Sequence, residues 1–265
     1  LYIAVFVTGV SISGNASVAI VSLDAQTPAQ DPASPDQLFA ARTDSRAGQR
    51  AIALWEAQLT ASPADYDTAW KLSRAYYWLG TAGAPPPERR AALEKGITRG
   101  RLATTLQPER VEGFFWMAAS MGSLAEAYGL RQGLKYRTPI RTALEQARRL
   151  DPEYLDGSPD RALGRWYAQV PSMFGGDLAR AESHLRAALA RKPDSVVTLV
   201  FLAEVMEERK QVAEARRLAQ AALDAPVDPA WAAEDATHRE SARKLLARLK
   251  GSGARKPAPP EPGPQ

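Results

Sequence analysis

Four proline breaks, "SPAD" at Pro63, "QPER" at Pro108, "DPEY" at Pro152 and "KPDS" at Pro193, lie 45, 44 and 41 residues apart. Proline removes a backbone donor and collides with the preceding turn, so each break ends a helix. Between the breaks Ala, Leu, Arg and Glu dominate and β-branched runs are few, which is a helix-forming composition. Punctuation this regular predicts stacked helical hairpins, each burying its core only against its neighbours.

The hairpins follow a recognisable template. "SVVTLVFLAEVMEERKQVAEARRLAQAALDAP" fits the 34-residue tetratricopeptide pattern, with Leu202 and Ala203 on its first helix and Ala215, Ala219 and Ala222 on its second. Small residues at those places let paired helices approach closely. The preceding unit begins at Ser158 and fits at Leu163, Gly164 and Tyr167. After an extra "SMFGG" it fits again at Ala181, Leu185, Ala188 and Pro193. "DYDTAWKLSRAYYWLG" fits at Leu72, Ser73, Tyr76 and Gly80, and "AIALWEAQLTASP" before it reads as a second helix ending at Pro63. A weaker unit, Val111–Tyr128, is followed by a long insertion through "GLRQGLKYRTP". The expected fold is all-α: a single tetratricopeptide-like domain over residues 37–250, with four imperfect hairpins and a flanking helix at each end. Residues 1–36 read as a signal-like apolar segment followed by a polar linker, "QTPAQDPASPDQ". Residues 251–265 read as a disordered proline-rich tail.

Composition removes several classes of function. With no cysteine there is no disulfide, zinc–thiolate site or thiol nucleophile, and with two histidines, His184 and His238, there is little for a metal centre or a triad. The net charge is +4, and its charges are interspersed, so no basic stripe awaits nucleic acid. No G-x-S-x-G, H-E-x-x-H, phosphate-loop or dinucleotide fingerprint occurs. The expectation is a non-enzymatic protein with no catalytic residue, metal or cofactor. Both histidines read as solvated, and the run Glu204, Glu207, Glu208 reads as a solvated face.

Repeats of this kind expose the inner face of their first helices to a groove. On the template that face holds Asp67, Trp70, Arg74, Tyr77 and Trp78 in the first unit, and Glu112, Phe115 and Ala119 in the second. It holds Ser158, Arg161, Arg165, Ala168 and Gln169 in the third, and Val197, Val200, Glu204, Glu207 and Glu208 in the fourth. Arg161 and Arg165 are one turn apart on one face. A guanidinium pair grips a carboxylate or phosphate, and an aromatic wall holds an apolar body or stacks the arginines. The candidate ligand site is therefore Arg161, Arg165, Trp70, Arg74, Tyr77, Trp78 and Phe115, suited to a small anion with an apolar portion. Two plainer assignments compete with it: the arginines pair with Glu112 or Glu204, and the aromatics are core. "GGD" at Gly175–Asp177 reads as a turn and an N-cap.

"EGFFWMAASMG" and "ALEQARRLDPEYLDGSPDRALGRWYAQVPSMFGGDLARAESHLRAALARKPDS" together resemble the T-component proteins associated with tripartite ATP-independent periplasmic (TRAP) transporters. The resemblance covers residues 51–223. The family's arginine matches Arg161, its Leu-Gly matches Leu163 and Gly164, and its "GGD" matches Gly175, Gly176 and Asp177. The resemblance implies a periplasmic helical-repeat protein with a cleft or pore for ligand. It also implies a TRAP-type substrate-binding protein as partner, sometimes a homo-oligomeric state, and organic acids as cargo. Many members carry a cysteine for lipid attachment, which this sequence lacks. The alternative function is a general tetratricopeptide scaffold for a peptide or protein segment. A closed, deep cavity favours the first reading and an open trough the second.

Overall fold

A computed structural model describes residues 33–227 and 232–252 of the chain. The apolar segment near the start and the proline-rich tail lie outside the described residues. Among those described there are eleven α-helices and no strand: α1 Pro35–Ala40, α2 Ser45–Ala61, α3 Tyr66–Trp78, α4 Pro86–Leu106, α5 Val111–Ala127, α6 Leu130–Leu150, α7 Tyr154–Gln169, α8 Leu178–Arg191, α9 Val196–Glu208, α10 Val212–Asp224 and α11 Ala232–Ser252. Four hairpins, α3–α4, α5–α6, α7–α8 and α9–α10, make a helical-repeat array. It is flanked by α2 and α11, and α1 is an additional short helix that begins at Pro35.

The proline breaks also start the next helix. After "SPAD", Asp65 caps α3 by accepting from the Thr68 amide at 3.2 Å; after "KPDS", Ser195 caps α9 by accepting from the Thr198 amide at 3.4 Å. A helix N-terminus leaves amides without partners, and a short oxygen-bearing side chain satisfies them. Asp177 does the same for α8, accepting from the Ala179 and Arg180 amides at 2.8 and 3.1 Å.

Within a hairpin the helices touch through small residues. A Cβ on Gly164 of α7 would lie 2.5 Å from Cγ of Leu185 and 3.0 Å from the Ala181 carbonyl oxygen on α8. Only glycine lets the two backbones come so close. Ala181, Leu185 and Ala188 are buried on the opposing face. One core cluster joins α1–α4 around Trp55, Leu72 and Trp78; a larger one runs from α4 through α11.

Two departures from the repeat alter its inner surface. The expected insertion after α5 is helix: α6 runs for 21 residues with Pro139 inside it, so its first turns extend past the hairpin. The extra "SMFGG" forms a 3-10 turn at Ser172–Phe174, followed by Gly175 at φ 102°. At the other end, Arg239 of α11 donates to the carbonyls of Ala222, Leu223, Ala225 and Pro226 at 2.6–3.1 Å. These are carbonyls at the end of α10 that no helical turn satisfies, and the guanidinium fixes α11 against α10.

Candidate functional site

Helices α3, α5, α6, α7, α9 and α11 contribute to the wall of a hollow of about 1020 Å³. Tyr77 from α3, Phe115 and Ala119 from α5, Ile140 and Leu144 from α6, Trp166 from α7 and Phe201 from α9 give it apolar walls. Both departures from the repeat line it. The extended start of α6 contributes Gly133, Leu134 and Arg137, and the turn after α7 contributes Pro171 and Phe174. Arg137 stacks its guanidinium over the Phe174 ring at 5.1 Å, so the two departures meet. Leu134, Leu155 and Phe174 are exposed apolar residues and mark the side open to solvent. The hollow matches the upper end of ordinary ligand pockets in size.

Four of the seven predicted residues line the hollow: Arg161, Arg165, Tyr77 and Phe115. Arg161 points inward from α7. It donates to the Ser158 hydroxyl, and no ion pair engages it among the described residues. Its remaining exposed surface faces the hollow, while protein surrounds the rest. Burial holds its pKa below the ordinary arginine value, partly offset by the charges of Tyr77, Asp156 and Asp235. A guanidinium carries five donors and titrates too high to be neutralised, so Arg161 is a charged fork with most of its donors uncommitted.

Arg165, one turn on, differs. Its Nη1 donates to Glu204 at 2.6 Å and its Nε to Glu126 at 3.4 Å, and its guanidinium lies 4.4 Å above the Phe201 ring. Pairing with Glu204, which competed with the ligand reading, is what the structure contains. Arg165 forms part of the wall.

The other three predicted residues lie elsewhere. Trp78 is buried in the first core, edge-on to Phe39 with centroids 5.9 Å apart. The Trp70 indole donates to Asp67 at 3.0 Å. The Arg74 guanidinium lies 4.7 Å from the Phe39 ring centre and 5.1 Å from that of Trp70. The physical reason is α1: its Phe39 occupies the stretch of inner face that these residues would otherwise present.

A left-handed turn shapes the floor beside Arg161. Leu155, Asp156 and Gly157 have φ of 47°, 57° and 77°. For the first two this is a costly conformation. It is followed by Ser158 and Pro159, whose missing N–H does no harm in the first turn of a helix. The turn brings the Leu155 carbonyl to the Ser158 hydroxyl at 2.6 Å, which fixes the one acceptor Arg161 has.

The sequence placed both histidines in solvent, and the structure corrects this. His184 lies 2.7 Å from Asp160 and stacks on Tyr167 with an interplanar angle of 5°. His238 of α11 lines the hollow, edge-on to Phe201 at 5.4 Å. Burial, then the charges of Arg165 and Arg161, push it down to about 4, so it is neutral at pH 7. Phe201 and His238 are two of the lining residues that the repeat template missed. Phe201 falls between its groove positions, and α11 belongs to no repeat.

Among the described residues the charges lining the hollow are equal in number: Arg137, Arg161, Arg165 and Lys192 against Glu126, Asp156, Asp194 and Asp235. Among the described residues no group of three or more His, Asp or Glu is placed to hold a metal ion, and no helix is long and apolar enough to cross a membrane.

Among solved structures, the chain is similar to a thermophilic tetratricopeptide protein of Thermus thermophilus. The TM-score is 0.59 and the identity 21%, over 80% of this chain and 97% of that one. MamA aligns at a TM-score of 0.49 and 15% identity, over 80% of this chain and 95% of that one. At these identities the likeness establishes the fold alone. No curated protein matches the sequence. The sequence model that describes the TRAP transporter T-component matches residues 86–250, the span that supplies nearly all of the hollow. That span is more than half of the chain, and the protein belongs to the TRAP transporter T-component family.

Proposed function

We propose that this chain is an exported, periplasmic accessory protein of a TRAP-type transporter. It takes a monoanionic organic acid with a long apolar body into its hollow and works beside a TRAP-type substrate-binding protein. Family and scaffold are of non-catalytic kinds, which supports a role in binding rather than chemistry. Association with transporter components follows from the family; the substrate-binding protein as the direct partner is our reading.

The observation that carries the ligand assignment is Arg161. A buried charge is costly unless paired, and at Asp160, another deeply placed charge, the fold supplies Arg148, Arg191 and His184. Among the described residues Arg161 receives a single hydroxyl. A carboxylate entering the hollow supplies the missing acceptors in bidentate form. The balanced lining charges favour one negative charge over two or three. The volume and the aromatic and aliphatic walls favour a chain of many carbons over a two- to four-carbon acid.

Calorimetry with decanoate, decanol and succinate tests this. Decanoate is expected to bind, with the other two far weaker. Arg161→Met is expected to weaken decanoate by about 30-fold or more, the usual loss when one partner of a buried charge pair is removed. Succinate binding better than decanoate, or decanoate unaffected by Arg161→Met, overturns the assignment.

A further inference from the structure

We propose that the inner face of α3 carries a second binding site, separate from the hollow. Its ligand is a short helical turn of a partner protein with a carboxylate and, three residues later, an aromatic ring; α1 occupies the site in cis.

The site exists without α1. Its floor is Trp78, whose ring lies against two glycines in different elements. A Cβ on Gly48 of α2 would fall 2.3 Å from that ring, and one on Gly83, just after α3, 2.6 Å from it. Trp55 of α2 forms a side wall, 5.5 Å from the inserted ring of Phe39. Trp70 and Arg74 complete the rim, and Trp70, Arg74 and Trp78 recur every four residues along one stripe of α3. That stripe is the groove face of a first repeat helix, which is where such arrays receive peptides.

The occupant shows what the site reads. In α1, Asp36 reaches Lys71 at 2.9 Å, and Phe39, three residues on, lies between Trp55, Trp78 and the guanidinium of Arg74. Acid and ring are on one side of a single helical turn because residues three apart share a face. Recognition is therefore by a lysine for the acid, and by indoles and a guanidinium for the ring.

The fit in cis is incomplete. Among the described residues Arg74 Nε is buried without a hydrogen-bond partner, and the guanidinium lies over the rings of Phe39 and Trp70. α1 offers it no oxygen. A partner segment that adds one carboxylate or carbonyl beside its ring satisfies that donor and so outcompetes α1. α1 is held by a Ser34–Gln37 capping box and by Phe39, but six residues are too few to be a stable helix alone, and its ion pair is at the surface. Tyr77, beside Trp78 on α3, lines the hollow, so one helix serves both sites.

The test uses the full chain and a fluorescent peptide of residues 34–43, SPDQLFAART. Fluorescence anisotropy is expected to show the peptide binding the Phe39→Ala chain at least about tenfold more tightly than the wild type. That binding is expected to be lost when Arg74→Ala is added, and when the peptide itself carries Phe39→Ala. Equal binding to both chains, or binding to neither while circular dichroism shows the variant folded, overturns the proposal. If Phe39→Ala does not fold, hydrogen exchange on the wild type decides. Amides of residues 37–41 are expected to exchange about 100-fold or more faster than those of α3, as a locally opening segment does. Exchange of α1 only with global unfolding overturns the proposal. Neither readout depends on what the hollow binds.

Discussion

Asp160 and Arg161 are consecutive residues of α7, about 100° apart around its axis, and the protein treats their charges in opposite ways. Asp160 is fully buried, and Arg148 and His184 meet one of its oxygens at 2.7 Å while Arg191 meets the other at 3.1 Å. Arg161 has one hydroxyl and an open hollow. Both charges were taken out of water. On one side the fold completes the electrostatics with its own side chains and ties α6, α7 and α8 together. On the other it leaves them unfinished. A buried charge that the fold satisfies is structure, and one that it leaves wanting a partner is a binding element.

The largest effect expected from this contrast is on stability. Asp160→Ala leaves two guanidiniums and an imidazole around an empty position, and breaking a buried charge cluster at one partner costs about 3–5 kcal/mol. Urea denaturation should show that loss. Its pH dependence has a definite sign. Burial pushes the Asp160 carboxyl up, but His184 and Arg148 outweigh that and hold it below the ordinary carboxylate range. The folded chain therefore gives up this proton at lower pH than the unfolded chain does. The contribution is present above the unfolded value near 3.8 and is lost as pH falls through the lowered one. Asp160→Ala should lack that part of the acid transition. A loss below about 1 kcal/mol would mean the cluster is solvated and the contrast mistaken.

The second effect is the mirror image. Arg161→Met should leave stability unchanged or raise it by about 1–2 kcal/mol, because an unpaired guanidinium is exchanged for an apolar chain of similar size. The same change should remove about 30-fold or more of decanoate affinity. A large drop in stability would mean that Arg161 is satisfied by protein after all. Arg165→Ala should fall between these cases. Its charge already serves Glu204 and Glu126, so decanoate affinity should change by about threefold or less. An effect as large as that of Arg161 would show that the ligand displaces Glu204.

How much of this could be read in the residues depends on where the repeat holds. The hairpins were legible because proline breaks and small-residue positions recur: Gly164, Ala181 and Ala188 are where the template puts them, and they pack as it requires. Arg161, Tyr77 and Phe115 line the hollow for the same reason. The remainder was illegible because it lies where the repeat lapses. Six residues of α1 carry no periodic signal, yet Phe39 packs on Arg74 and Trp78. "GLRQGLKYRTP" looks like a loop because of its glycines and Pro139, and it is helix that walls the hollow. Pairing of Arg165 with Glu204 was one of two open assignments, since side chains 39 residues apart meet only through tertiary packing.

The smallest expected effect concerns His238, which is uncharged beside Arg161 and Arg165. Its pKa of about 4 in the folded chain lies below the value of 6.5 it takes when unfolded. Between those values the unfolded chain holds more protons, so this contribution to stability is full above about pH 6.5 and declines as pH falls toward 4. An anion seated against Arg161 reverses the local balance. It offsets the guanidinium charges that help keep His238 neutral and lifts its pKa, so the complex takes up a proton that the free protein does not. Affinity should therefore rise from pH 7 to pH 5, by about twofold for one unit of lift and about tenfold for two. Decanesulfonate, which stays ionised over that range, isolates the protein's own titration. In calorimetry His238→Leu should flatten both the stability slope and the affinity slope. A wild-type affinity that is already flat places the bound charge away from His238, at Arg137 on the open side of the hollow, and separates the position of the ligand from the role of Arg161.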